Sequence, residues 1–407
     1  MIDSAAPPVA LYVHIPFCVS LCPYCDFVVY PGAAARGPAA RVDVFLAALH
    51  AELDLRADAL EAAFPTGWPG LETVYLGGGT PSMLPAQAIA AVLAHIRVRF
   101  GISEGAEVTL EANPGPDERG DARALRDAGV TRLSIGAQAM SDVGLWRLGR
   151  RHRTSDVGAA VAAARAAGIE SVSLDLLYDA PDLMLDEWIE TLDAALELKP
   201  DHLSLYALTL DDPDAEGLTG PDGDHLPVKP GARRWRESAR HAQDEDRAAA
   251  QYHHAVHRLA EDGWRGYEIS NWARPGHESR HNQIYWQRRP YEAVGPGAHA
   301  FDGVSRRWTA ARLAGYLAAL TPRGGGPGQF PPGDSETLDA AAAAAETVIL
   351  GLRTDRGVPL TAAHEPPLAD SFGWALAANL LDVTDDDRII LTSTGRLLSN
   401  ELFSRLV

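Results

Sequence analysis

Through the first half of the chain, short β-prone runs alternate with longer stretches whose apolar residues recur at helical spacing. The runs are 10–15 (ALYVHI), 72–76 (ETVYL), 107–111 (EVTLE), 131–136 (TRLSIG), 171–177 (SVSLDLL) and 201–207 (DHLSLYA). Between them, Val42, Leu46, Leu49 and Leu53 form one stripe, Ile89, Val92, Leu93 and Ile96 a second, and Leu185, Trp188, Leu192 and Leu196 a third. Such stripes predict helices that cover a parallel sheet, and the alternation predicts an α/β fold of βα units. Six strands are too few for the closed eight-stranded barrel, so the expected form is a partial, three-quarter TIM-like barrel whose working residues lie at the carboxyl ends of the strands.

Beyond residue 210 the pattern changes. Residues 211–245 are rich in Pro, Gly, Asp and Arg and read as a long surface loop or partly disordered insertion. A helix is predicted at about 247–262, followed by the polar-aromatic stretches 267–272, 281–286 and 295–299. Residues 321–328 (TPRGGGPG) read as a linker. After it an alanine-rich helix (338–352), a second helix (about 373–382), a strand (388–392) and a final helix (395–406) predict a small winged-helix-like α+β unit. The expected divisions are 1–210, 211–320 and 321–407.

The 407 residues carry 36 Lys and Arg against 55 Asp and Glu, a net charge of −19, and no basic tract. Nucleic acid and anionic membrane surfaces are therefore poor partners. No uninterrupted apolar stretch approaches the ~18 residues of a membrane span, and the first residues lack the pattern of a secretion signal. A cytoplasmic location is expected, where thiols stay reduced.

Cys18, Cys22 and Cys25 are the only cysteines. An odd number within so short a stretch does not make a disulfide framework. Structural zinc wants four ligands, so a zinc site would need histidine to complete it. A 4Fe-4S cluster wants one thiolate per iron, and three thiolates leave one iron open. The spacing, with Tyr24 before the last cysteine, resembles the radical S-adenosylmethionine (SAM) superfamily. In that superfamily the open iron is chelated by the amino and carboxylate groups of SAM, and reductive cleavage of the sulfonium releases a 5′-deoxyadenosyl radical. Gly77-Gly78-Gly79 after the second strand resembles the superfamily's segment for the methionyl amino group; glycine lets a ligand approach backbone N–H groups closely.

A closer resemblance is carried by Tyr12-Val13-His14-Ile15-Pro16-Phe17-Cys18, by Gly77 to Ser82, and by Glu111-Ala112-Asn113-Pro114. It extends through Leu133 to Gln138, Leu148 to His152 and Leu203 to Tyr206. Together these segments resemble the oxygen-independent coproporphyrinogen III oxidase family. The resemblance implies that Tyr12, Gly78 and Glu111 contact the SAM on the cluster. It also implies that Tyr24, Gly79, Thr80, Gln138, Arg150 and Asp175 stand where the oxidases hold a second SAM. The decarboxylating oxidases carry a fourth cysteine where this chain has Phe27. The HemW-type haem chaperone branch lacks it and carries His-Asn-x-x-Tyr-Trp, present here as His281, Asn282, Tyr285 and Trp286. Imidazole is a common haem ligand and aromatic rings suit a porphyrin edge, which makes these four candidate haem contacts. The alternative is that His281 and Asn282 bond to backbone while Tyr285 and Trp286 pack in a strand closing the barrel. The turn Tyr178 to Asp182 departs from the family's usual sequence. The implied partners are haem, or coproporphyrinogen in the enzyme branch, together with acceptor haemoproteins that could sit at a membrane and a second copy of the chain.

Overall fold

All six predicted strands form: β1 (Ala10–Ile15), β2 (Leu71–Gly78), β3 (Ile102–Ala112), β4 (Arg132–Gln138), β5 (Ser171–Tyr178) and β6 (His202–Ala207). They pair in sequence order, each parallel to the next. The computed structural model describes residues 5–37, 40–321 and 328–407. The N-terminal four residues and most of the 321–328 linker lie outside the described residues.

The sheet continues past both ends of this run, and here the six-strand count is corrected. Beyond β6 lies β7 (Asn271–Ala273), antiparallel, with the edge pair Arg265–Gly266. On the other side of β1 lies β8 (Tyr291–Val294), a seventh parallel strand, followed by antiparallel β9 (His299–Phe301), β10 (Ser305–Thr309) and β11 (Gly333–Thr337). The twelve strands form an open sheet whose two edges do not pair with each other among the described residues.

Helices cover the outer face for the reason their stripes predict. Ile89, Val92, Leu93 and Ile96 of helix Ala86–Arg99 are all buried, as are Trp188 and Leu192 of helix Leu185–Glu197. Helix Val42–Ala63 is rotated from expectation. Phe45, Ala48, Leu49 and Leu53 are buried while Val42 and Leu46 are only half so, because Phe45 packs edge-on against Phe17.

The inner face is different. Along β4, Leu133, Ile135 and Ala137 face the helices, and the alternate residues Arg132, Ser134, Gly136 and Gln138 line a hollow of about 600 Å³. The same alternation puts Asp175 and Leu177 of β5 and His202, Ser204 and Tyr206 of β6 into that hollow. Apolar inward residues would fill a barrel as core. Short polar ones leave it open.

The expected loop at 211–245 is corrected: residues 230–242 form helix Pro230–Ala242, packed under the cysteine loop. Helix Glu245–Glu261 follows as expected. The C-terminal residues have their own apolar core, from Val348 to Leu406. Helix Ala340–Arg353 is present, but the second helix ends at Ala377. Residues 381–383 are instead a strand in a three-stranded antiparallel sheet with Val358–Pro359 and Arg388–Leu391. The final helix is two short ones, Ser393–Leu397 and Ser399–Phe403. Among the described residues no helix is long and apolar enough to cross a membrane.

Candidate cofactor site in the hollow of the sheet

The loop after β1 brings Cys18, Cys22 and Cys25 to one end of the hollow, none of them in a disulfide. No group of three or more His, Cys, Asp or Glu among the described residues is gathered as a single-ion site would be. The three cysteines line the same space, where a cluster would take one thiolate per iron. Their neighbours are donors. Cys18 Sγ lies 3.4 Å from Thr80 Oγ1, which accepts from Asn113 Nδ2 at 2.9 Å. Arg150 Nη1 donates to Cys22 Sγ at 3.2 Å, and its Nη2 donates to Gly136 O and Asn113 Oδ1. Arg150 Nε is buried with no partner among the described residues. Burial pushes the Cys18 thiol up to about 11 and Cys25 higher still. Such thiols make poor free nucleophiles, and a bound cation would supply the charge that favours their thiolate form. The donor set therefore fits a 4Fe-4S cluster.

A residue the sequence reading missed holds this loop. Arg236, 3 % exposed, donates from Nε to Pro23 O at 3.1 Å and from Nη2 to Tyr24 O and Cys25 O at 3.2 and 2.9 Å. Its Nη1 donates to Asp211 O at 2.5 Å. Tyr24 packs against Trp235 of the same helix.

Glu111 ends β3 beside the loop. Its Oε2 accepts from Gly78 N at 2.8 Å and its Oε1 from Tyr75 Oη at 2.9 Å. Burial raises its pKa to about 7 against those two hydrogen bonds, with Asp175 adding to the rise. Burial raises Asp175 as well, opposed by Ser204, Ser134 and Ser173 hydroxyls and by Arg132. Gly78 adopts φ +104°, and a Cβ there would lie 2.3 Å from the His14 ring. At Gly79 a Cβ would lie 2.5 Å from Phe17 O. These glycines are needed chiefly because the loop is pressed against β1, which delivers Gly78 N–H to Glu111. Gln138 sits at φ +67° beside a register shift in β4, a conformation costly for a residue with a side chain, and lines the hollow.

Of the expected SAM residues, Tyr24, Gly78, Gly79, Thr80, Glu111, Gln138, Arg150 and Asp175 line this one hollow together with the cysteines. Tyr12 stands just behind, its Oη 3.1 Å from His14 Nδ1. The His-Asn-x-x-Tyr-Trp segment is divided. It is not a strand but helix Arg280–Trp286, laid beneath β2 and β3. Only Asn282 of the four lines the hollow. His281 is 1 % exposed, with Nδ1 2.7 Å from Thr73 Oγ1 and Nε2 2.7 Å from Tyr285 Oη. Trp286 lines a separate cavity of about 310 Å³ and lies under the Arg353 guanidinium, 4.5 Å from its ring centre.

Residues 12–195 match the family model for the radical SAM superfamily. The chain is 37% identical over 402 residues to the heme chaperone HemW of Mycobacterium tuberculosis, covering 98% of this chain and 95% of that protein. The chain belongs to the HemW family. The HemW of Bacillus subtilis is 31% identical over 405 residues, with 96% and 97% covered. The solved structure of Escherichia coli coproporphyrinogen III oxidase HemN, a radical SAM enzyme, superposes with a TM-score of 0.76 at 21% identity, covering 98% of this chain and 90% of that one. That likeness establishes the shared fold.

In this HemW-family chain the inward ladder Ser134, Ser173, His202 and Ser204 was legible and overlooked. Its signal is the polar alternation within strands whose outward residues are Leu and Ile. Arg236 offered no such signal, because it is one arginine in a charged run.

Proposed function

We propose that this chain is a haem chaperone that carries a 4Fe-4S cluster on Cys18, Cys22 and Cys25, binds SAM beside it, and passes haem to acceptor haemoproteins in the cytoplasm or at a membrane. The observation that carries the reading is the end-to-end similarity to HemW proteins. Phe27 supports it: the position that is cysteine in the decarboxylating oxidases is here a side chain 64% exposed at the mouth of the hollow.

The cluster, when bound, supplies an iron open to the amino and carboxylate groups of SAM. Arg150 would stabilise negative charge on the cysteine side, where it already donates to Cys22. Glu111, as carboxylate, would accept from the hydroxyl or ammonium groups of SAM while Tyr75 and Gly78 keep it aimed. Gln138, Thr80 and Asp175 offer further polar groups to a second SAM or to the cargo. Haem is cargo, and Asn282, which alone of the signature residues lines the hollow, is the one placed to meet it there.

Anaerobic titration of the reconstituted protein with haem tests the reading, and a saturable Soret band at one haem per chain is the expected result. The fold shared with HemN favours one rival, oxidative decarboxylation of coproporphyrinogen III by the same site. Protoporphyrinogen IX formed in the presence of SAM and reductant would establish that rival.

A further inference from the structure

We propose that His281 and Tyr285 are positioning residues for Glu111, bracing the carboxylate from beneath the hollow, and that His281 does not ligate haem iron. This rests on the reading above that Glu111 receives SAM.

The signature helix is anchored at its start. Glu107 of β3 accepts from Arg280 N and His281 N at 3.2 and 3.1 Å, and Ser279 Oγ accepts from Asn282 N at 3.3 Å. This fixes the His281 ring against β2, where each nitrogen has a partner 2.7 Å away. Burial lowers the ring's pKa to about 3, so it is neutral, with one N–H and one lone pair, and both are spent. An iron bond would cost one of these buried hydrogen bonds and orphan either Thr73 Oγ1 or Tyr285 Oη.

What the ring supports is Tyr75. The two rings lie 5.1 Å apart and inclined by 36°, and the Tyr75 ring also lies 6.0 Å from that of Tyr12. Against these rings Tyr75 donates its hydroxyl to Glu111 Oε1. Tyr285, which partners His281, packs on Tyr291 of β8 at 4.5 Å, so the brace ties the strands on both sides of β1. The chain of contact runs from the helix through two rings to one of the two donors that set the Glu111 carboxylate. A histidine offered to haem would need a free nitrogen facing a cavity, and in this helix it is Asn282 that faces the hollow.

The test uses the full chain, reconstituted anaerobically, as His281→Ala, Tyr75→Phe and the double variant. SAM affinity is measured from pH 6 to 8.5 and haem stoichiometry by Soret titration, with circular dichroism to verify the fold. Each single change is expected to weaken SAM binding by about tenfold, the worth of one well-placed hydrogen bond. The double variant is expected to lose little more than the worse single, since both act through one hydroxyl. Haem stoichiometry stays at the wild-type value. Tyr75→Phe, which removes one oxygen and little volume, also shifts the pH midpoint of SAM binding upward. The groups facing Glu111 are then Tyr12 from β1, Asp175 from β5 and Tyr285 from the helix. Loss of haem binding in His281→Ala with SAM affinity unchanged overturns the proposal and returns the histidine to the iron. Wild-type protein that takes up iron and haem but no SAM overturns the assignment of Glu111 itself, and the brace with it.

Discussion

Glu111 combines a half-buried place in the wall of the hollow, two donors and a neighbouring acid, and a pKa raised to about 7 makes its charge sensitive to pH near neutrality. Because the folded pKa lies above the ordinary carboxylate value, the stability this group contributes is fully present at acidic pH and is lost as pH rises through about 7. Glu111→Gln should therefore gain stability relative to wild type between pH 5 and 8, read as the difference between their urea midpoints. Ligand binding has the opposite slope, since a carboxylate accepts from SAM better than a carboxyl group. SAM affinity should rise across pH 7 in the wild type and stay flat in Glu111→Gln. Arg236 gives a second prediction. Arg236→Ala removes four donor contacts to Pro23, Tyr24, Cys25 and Asp211, so the cysteine loop loses its fixed shape. Iron per chain after reconstitution should fall by half or more while far-ultraviolet circular dichroism stays at the wild-type level, and unchanged iron would contradict a role for Arg236 in shaping the loop.

The element that presents the cofactor groups is the glycine loop between β2 and the short turn Pro81–Met83. A methyl group at Gly79 would press on the backbone oxygens of Phe17 and Ile15, and backbone cannot step aside as a side-chain tip can. Gly79→Ala should cost about 1–3 kcal/mol in chemical denaturation and loosen the cysteine loop it touches. Elements with one apolar face were legible in the sequence: β1 was predicted at its observed bounds, and the stripe of helix Ala86–Arg99 is buried as read. Helix Pro230–Ala242 was not legible, because its buried residues are Arg236 and Ala239 and it is held by hydrogen bonds to carbonyls rather than by an apolar stripe. The signature helix was misread for a related reason. Its His281 and Tyr285 are one helical turn apart and pair with each other, a spacing that the aromatic content overshadowed. β8 is only four residues long, too short to stand out.

At the scale of the molecule, the C-terminal residues complete the floor of the hollow. Arg353, Ser399 and Asn400 line it, and Arg396 donates to Gly266 O and Glu268 O at 3.3 and 3.4 Å. Arg353 connects the parts, over the Trp286 ring on one side and 3.5 Å from the fully buried Glu268 on the other. Arg353→Ala would leave that carboxylate without its charged neighbour. The expected cost is about 3 kcal/mol, the low end for breaking a buried pair because the arginine side chain is itself 28% exposed. A urea midpoint within error of wild type would contradict it. The arrangement is one hollow lined by the three cysteines, by the inward polar residues of the sheet and by residues of the C-terminal segment. It is the radical SAM fold of a HemW-family chain, and the proposed haem-carrying role rests on it.

The measurement that bears most directly on that claim offers the anaerobically reconstituted protein haem and coproporphyrinogen III in parallel, each with SAM and a low-potential reductant. The account predicts one haem bound per chain and no protoporphyrinogen IX. Protoporphyrinogen IX accumulating over many turnovers, with no haem retained, would contradict it.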